Sequence, residues 1–226
     1  MEEASALFHI GPVEISGVVV TSWVIIALLA LVAWLATRKL EDIPGPLQCA
    51  AEMAVESMEG FFAGTLGREK ARKYLPIFAT FFIFIIVSNY SGLLPGAGHL
   101  AGFSVPTACL SVTVGLGIIS AVATHTLGIK ERGLKHYLKT FVKPFAFMLP
   151  LLLIEQVIRP VSLALRLYGN LYGEETVTHQ MYEIFPVGLP IVINILSLLF
   201  CLIQAMVFTL LLSIYVAEAV EEEEEE

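Results

Sequence analysis

Two arginines in a strongly apolar stretch are the first chemical feature of this sequence. Arg159 and Arg166 stand in the run that ends at Asn170, which otherwise has the composition of a membrane-buried segment. A charge at that depth costs at least about 2.5–3.5 kcal/mol. A guanidinium group cannot avoid this cost by losing its proton. An anionic partner or a water-filled path must therefore compensate the permanent charge of Arg166.

Both arginines fall on one polar stripe if the segment is a helix. At 100° per residue, seven positions lie within about 40° of one meridian: Glu155, Arg159, Ser162, Arg166, Asn170, Gly173 and Val177. Glu155 and Arg159 have the i, i+4 spacing that favours an ion pair, so Arg159 has a predicted partner in its own helix. Arg166 has no acid three or four residues away. Its counter-charge must come from another helix or another chain.

Two acids follow the stripe, and the next apolar segment carries a weaker polar face. Glu175 is nine residues beyond Arg166, which places it on the opposite side of the helix and about 13.5 Å further along the axis. Glu174 lies to the flank. The face of the next segment contains Ser197, Gln204 and Tyr215. Together the two helices could line aqueous routes for ions, although Ser197 alone is explained as well by an ordinary hydrogen bond between helices.

Composition places the chain among polytopic α-helical membrane proteins. It is 57% hydrophobic and 15% charged, with a mean hydropathy of +0.80. Apolar segments of about 20 residues match the thickness of a bilayer. We predict one domain, 1–226, with five spans at approximately 15–37, 74–94, 106–128, 144–175 and 187–217. No basic region precedes the first segment, so we expect a retained span rather than a signal peptide. Cys49, Cys109 and Cys201 lack pairing or ligand spacing, so no disulfide, metal or cofactor is predicted.

The distribution of basic residues predicts the topology. Of the 13 Lys and Arg residues, six fall within 38–73 and five within 130–143. Cytoplasmic loops collect Lys and Arg, so segment 1–14 is expected outside and the acidic tail, 218–226, in the cytoplasm. Segment 43–67 has the pattern of an amphipathic helix at the cytoplasmic interface. It is either a linker helix or a docking surface for a partner subunit.

The residues around Arg166 also resemble a known family. The run from Ser162 to Asn170, followed by Gly173-Glu174-Glu175, resembles the signature of subunit a of the rotary F-type ATP synthase. The resemblance continues in 202–205, at Tyr215 and in 88–95, and it covers essentially all of 15–217.

The resemblance implies a non-catalytic subunit of a bacterial plasma membrane. Such a stator holds the ring of c subunits, contacts the b subunit of the peripheral stalk and supplies two offset half-channels for H+ or Na+, with no nucleic-acid partner. Its last two helices are long and steeply tilted. Arg166 would face the ring carboxylate. The other residues implied in ion translocation are Ser162, Asn170, Glu174, Glu175, Ser197, Gln204 and Tyr215.

Two positions depart from the family pattern. Members often carry Asp where this chain has Cys109, and His or Glu where it has Ser197. Both positions are associated with the outward half-channel, which is expected here to rely more on Glu174, Glu175 and water. Two other classes of protein fit the sequence less well. A secondary transporter with an arginine-bound carboxylate substrate would usually show internal repeats, and a purely structural anchor would not need a charged stripe.

Overall fold

The computed structural model describes residues 6–10, 13–38, 45–93, 105–140, 149–184 and 188–220. An antiparallel hairpin of two short strands precedes seven helices in this part of the chain. The strands are β1 (Ala6–Ile10) and β2 (Val13–Ser16). The helices are α1 (Gly17–Thr37), α2 (Pro46–Leu66), α3 (Arg68–Ser91), α4 (Leu110–Arg132), α5 (Leu134–Thr140), α6 (Leu149–Ile184) and α7 (Leu189–Val220), with a 3₁₀ turn at Pro106–Ala108 before α4.

Four of the described helices are long and apolar enough to cross a membrane. They are α1, α3, α4 and the part of α7 at Val192–Val220. The prediction of a polytopic helical membrane protein is consistent with this set. The predicted span 144–175 corresponds to α6, which is not among these four, so five crossings stay a prediction. With 36 residues, α6 is about 54 Å long, well beyond the roughly 30 Å of hydrocarbon.

The described helices extend beyond several of the predicted spans. Helix α3 begins at Arg68 instead of 74, because Gly67 has a φ of +76° and turns the chain directly from α2 into α3. Helix α4 continues to Arg132 instead of ending at 128, and its basic last turn suits the negative end of the helix dipole. Helix α6 runs nine residues past the predicted end at 175. Helix α7 reaches Val220, so the first three residues of the predicted tail, 218–220, are helical. Residues 221–226 lie outside the described residues, and the tail stays a prediction.

The strands and α5 were not predicted. Segment 1–14 was expected only as an outward N-terminal segment, yet β1 pairs with β2 in the register Phe8 to Ile15 and Ile10 to Val13. The Gly-Pro dipeptide at 11–12, between two short apolar runs, is the turn signal that could have indicated a hairpin.

Segment 43–67 contains α2, whose Phe62 and Leu66 are buried in the core with residues of α3. An interfacial position for α2 stays a prediction.

Helices α3, α6 and α7 meet in the main core, which holds α6 by one face. Phe78 and Ile85 of α3 and Phe208 and Leu212 of α7 are fully buried, and the rings of Phe81 and Phe208 stack at 5.9 Å. Leu163 and Leu167 of α6 belong to the same cluster. This packing fixes the rotation of α6 about its axis and so decides which of its side chains face away from the core.

Helix α4 approaches α6 closely through a stripe of small residues. Thr113, Gly117, Ser120, Thr124 and Gly128 are its buried positions. A Cβ atom added to Gly117 would lie 2.7 Å from the carbonyl oxygen of Pro160 and 3.3 Å from the Cβ of Ala164. Only glycine fits at this crossing without displacing the backbone, as is common where membrane helices pack.

Candidate functional site

The polar side chains predicted to be functional lie along α6 and α7, which run antiparallel. Polar contacts join the two helices at three levels. Arg159 contacts Glu218 near the end of α7, Asn170 contacts Gln204 midway, and Glu174 contacts Cys201 and Ser197 nearer the beginning of α7. Arg166 lies between the first and second of these contacts.

Arg159 is held by two carboxylates and an aromatic ring. Its Nη2 donates to Glu155 Oε1 at 2.5 Å and its Nη1 donates to Glu218 Oε2 at 2.5 Å. Its guanidinium carbon lies 4.8 Å from the centre of the Tyr215 ring, a distance typical of a cation–π contact. Arg132 of α4 also donates to the backbone oxygen of Glu218. The positive charge of Arg159 is therefore compensated within this chain.

Sequence reasoning missed Glu218 as a partner of Arg159. The contact spans 59 residues, so no helical spacing could indicate it. Apolar residues continue past Glu218 to Val220, and this continuation could have indicated that Glu218 is still on a helix.

The surroundings of Arg166 differ from those of Arg159. Its side chain is exposed, as are those of Ser162 and Asn170 on the same stripe, while Leu163 and Leu167 beside it are buried. In the described part of the chain Arg166 makes no hydrogen bond or ion pair. Leu165 and Val161, about half exposed, flank it with apolar surface. This part of α6 thus presents a cation that no described residue neutralises, beside exposed apolar side chains.

Asn170 and Gln204 meet between the two helices. Asn170 Nδ2 donates to Gln204 Oε1 at 2.6 Å. Gln204 is only 6% exposed, and its buried Nε2 has no partner among the described atoms. A buried amide N–H without an acceptor costs about 1–3 kcal/mol. This group is therefore ready to donate to water or to a group from another chain.

The two adjacent acids of α6 differ in their surroundings. Glu174 is half-buried and faces α7, where the Cys201 sulfur lies 3.9 Å from its Oε2 and the Ser197 hydroxyl interacts with the same carboxyl. Ser197 and Cys201 are both 2% exposed. Glu175 is exposed and has no partner in the described residues. The structure thus brings Ser197 to Glu174 and leaves Glu175 apart.

A small cavity lies beside Arg159, between α4, α6 and α7. Its volume is about 20 Å³, enough for one water molecule. His125, Gln156, Arg159 and Tyr215 are among its lining residues. The His125 Nδ1 lies 2.7 Å from the hydroxyl of Tyr137, and burial raises the pKa of that hydroxyl, which keeps it protonated. Helix α5, which was not predicted, is thereby fixed to α4.

Further buried polar atoms lie on α3 and the 3₁₀ turn. Ser88 Oγ, Asn89 Oδ1 and Thr107 Oγ1 are buried without a hydrogen-bond partner among the described atoms. Ser88 and Asn89 open the motif at 88–95, but sequence reasoning gave them no role. Within the described residues no group of three or more His, Cys, Asp and Glu side chains could hold a metal ion.

Comparison with known proteins identifies the family of the chain. The family model described as "ATP synthase A chain" matches residues 19–217. The chain is 41% identical over 214 residues to ATP synthase subunit a of Moorella thermoacetica, covering 95% of each chain. It is 40% identical over 220 residues to the subunit a of Trichlorobacter lovleyi, covering 96% of this chain and 92% of the relative. It is 37% identical over 217 residues to ATP synthase subunit a 2 of a Bradyrhizobium species, covering 96% and 94%.

The matched region contains all seven helices except the ends of α1 and α7, and it includes every polar contact described above apart from those of Glu218. The chain therefore belongs to the ATP synthase subunit a family and is a membrane subunit of that complex.

Proposed function

We propose that this subunit is the ion-translocating stator of the membrane sector, with Arg166 as the fixed charge that faces a carboxylate on the ring of c subunits. The observation that carries the proposal is the exposure of Arg166 on α6, beside exposed apolar side chains and without a partner in the described residues. Such a charge is too costly to leave facing lipid. A carboxylate on a neighbouring chain would compensate it.

The difference between the two arginines supports the choice of Arg166. Arg159 already has two carboxylate partners, so it has little attraction left for a third. Arg166 is about 10 Å further along α6, which moves it away from the basic loops. A planar guanidinium is also well suited to a carboxylate, because it can donate two parallel hydrogen bonds.

The proposed mechanism is electrostatic. A ring carboxyl that approaches Arg166 is stabilised in its ionised form, so it releases its ion into one half-channel. After the carboxylate passes Arg166, an ion from the second half-channel neutralises it, and the neutral group can then rotate through lipid. Arg166 also keeps the two half-channels from communicating directly. Each elementary charge that crosses 100 mV supplies about 2.3 kcal/mol, so several ions are needed per ATP.

The remaining polar residues of α6 and α7 fit two separate half-channels. Glu174, Glu175 and Ser197 lie towards the α6–α7 turn and would line the outward half-channel. Ser162 and Tyr215 lie on the other side of Arg166 and would line the inward one, while Asn170 and Gln204 lie between them. In this arrangement the N-terminus is outside and the C-terminus cytoplasmic. The ion, H+ or Na+, is selected by the ring, and nucleotide chemistry belongs to other subunits.

Ion flux and ATP synthesis in vesicles that carry the whole complex test this function. We expect Arg166→Ala to abolish coupled synthesis and to permit a passive ion leak. Arg166→Lys should also fail to couple, because it keeps the charge but loses the planar donor pair. Arg159→Ala is the matched control and should still couple in the complexes that assemble. If Arg166→Ala couples and Arg159→Ala does not, the stator charge has been assigned to the wrong arginine.

A further inference from the structure

The outward end of the α6–α7 pair contains an acid–thiol contact. Glu174 Oε2 and the sulfur of Cys201 are 3.9 Å apart. Cys201 is 2% exposed. In the described structure its thiol donates to Glu174. The Ser197 hydroxyl, one turn earlier on α7, interacts with the same carboxyl. Two weak donors from one face of α7 therefore converge on one carboxyl of α6.

The surroundings of this contact offer the carboxyl little other support. In the described part of the chain Glu174 has no ion pair, and its neighbour Glu175 carries the same sign of charge. The Tyr90 hydroxyl of α3 donates to the backbone oxygen of Leu198 at 3.2 Å. This bond fixes the turn of α7 that bears both donors. The orientation of Glu174 thus depends on Ser197 and Cys201.

We propose that Cys201 is a positioning residue of the outward half-channel, whose thiol acts with the Ser197 hydroxyl to hold the Glu174 carboxyl against α7. The inference rests on the proposed function of Glu174 in ion translocation. A thiol is a weak donor with one proton, but a hydrogen bond to an ionised acceptor is stronger than one to a neutral acceptor. The thiol therefore favours the ionised carboxylate over the neutral acid.

The contact has a physical role at a position where donors are few. Ser197 supplies one short hydroxyl, which alone can reach only one carboxylate oxygen at a time. Cys201 lies four residues later, one helical turn along the same face, and supplies the second donor. With two donors on α7, the carboxylate is held towards that helix. Glu175, which is exposed, stays free to exchange with water.

The test compares Cys201→Ala with Cys201→Ser in the whole complex in vesicles. Ion-driven ATP synthesis is measured while the pH of the outward compartment is varied at a fixed inward pH and a fixed membrane potential. Loss of the donor should destabilise the ionised carboxylate, so we expect Cys201→Ala to raise the outward pH of half-maximal synthesis by about 0.5 unit. Cys201→Ser keeps a donor of similar size and should restore the wild-type profile. Cys49→Ala, on the exposed surface of α2, is the matched control.

Two further variants separate the possible failures. Cys201→Val removes the donor but fills the volume, and it replaces Cys201→Ala if that variant does not assemble. In a Glu174→Gln background, Cys201→Ala should produce no additional shift, because the thiol acts through that carboxyl. An outward profile that stays at the wild-type value in the alanine and valine variants, while Glu174→Gln changes it, overturns the role of Cys201 alone. If Glu174→Gln itself leaves transport unchanged, the assignment of Glu174 to the half-channel fails first.

Discussion

Arg159 and Arg166 lie seven residues apart on one stripe of α6, yet Arg159 is bound by two carboxylates and Arg166 by none of the described residues. The difference follows from where α7 ends. Glu218, in the last turn of α7, reaches Arg159, whereas the part of α7 beside Arg166 is apolar and buried, with Phe208 and Leu212 in the core. The antiparallel pairing of the helices thus neutralises Arg159, whereas no described residue neutralises Arg166.

The carboxylates of Arg159 should matter for stability more than for coupling. Glu218→Gln removes the ion pair between the last turn of α7 and Arg159 of α6, and we expect it to cost about 1 kcal/mol, measured as a lower unfolding temperature of the solubilised complex. The estimate is small because the side chain of Glu218 is 50% exposed. ATP synthesis per assembled complex should stay near the wild-type rate. Loss of coupling at full assembly would show instead that Glu218 belongs to the ion path.

Gly117 should tolerate no side chain, because the carbonyl oxygen of Pro160 lies 2.7 Å from the position of its missing Cβ. Gly117→Leu is expected to push α4 away from α6 at a cost of at least about 1–3 kcal/mol. Gly115 is on the same helix with open space around it, so Gly115→Leu is the matched control. The measurement is the yield and thermal stability of the purified complex. Equal yields for the two variants would contradict the close helix crossing.

The sequence could predict a contact of this site only where the two residues are close along the chain. The spacing of Glu155 and Arg159 places both on one helical face, and the structure has them in contact. The bond between Asn170 and Gln204 joins residues 34 apart, and its partners follow only from the packing of α6 on α7. Glu218 was assigned to a tail because a run of glutamates hides the end of the helix. The exposure of Arg166 likewise depends on which face of α6 the core buries.

The topology can be read from the native cysteines. Cys49 is exposed on α2, which the basic residues predict to be cytoplasmic. In a Cys109→Ala background, we expect a membrane-impermeant maleimide to label Cys49 from the cytoplasmic side alone. With Cys49→Ala added, it should label Ser5→Cys from the outside alone. Cys201 is buried and should stay unlabelled from both sides. Reaction of residue 5 only from the cytoplasm would reverse the predicted orientation.

Glu175 should act in transport without a structural role. It is exposed and has no partner in the described residues, so Glu175→Gln should leave assembly and thermal stability unchanged. If it lines the outward half-channel, the same variant should slow ion-driven ATP synthesis several-fold, since a fixed carboxylate raises the local concentration of cations. Glu52→Gln, at an exposed position of α2, controls for the loss of one negative charge. Unchanged coupling in Glu175→Gln would remove it from the ion path and leave Glu174 as the better candidate.

The effects of substituting Asn170 and Gln204 should depend on each other. The bond is short at 2.6 Å, and Gln204 is almost completely buried, so each single alanine variant leaves one amide without its partner. We expect both Asn170→Ala and Gln204→Ala to lower ATP synthesis, and the double variant to be less impaired than the product of the two single effects.

The corresponding interaction free energy should be about 0.5–2 kcal/mol. The measurement is a double-mutant cycle on synthesis rates at equal amounts of assembled complex. Thr209→Ala, which removes a buried hydroxyl that bonds only within α7 in the described structure, combined with Asn170→Ala gives the control cycle, for which additivity is expected. Additivity in the Asn170 and Gln204 cycle as well would mean that the two amides act independently of the bond between them.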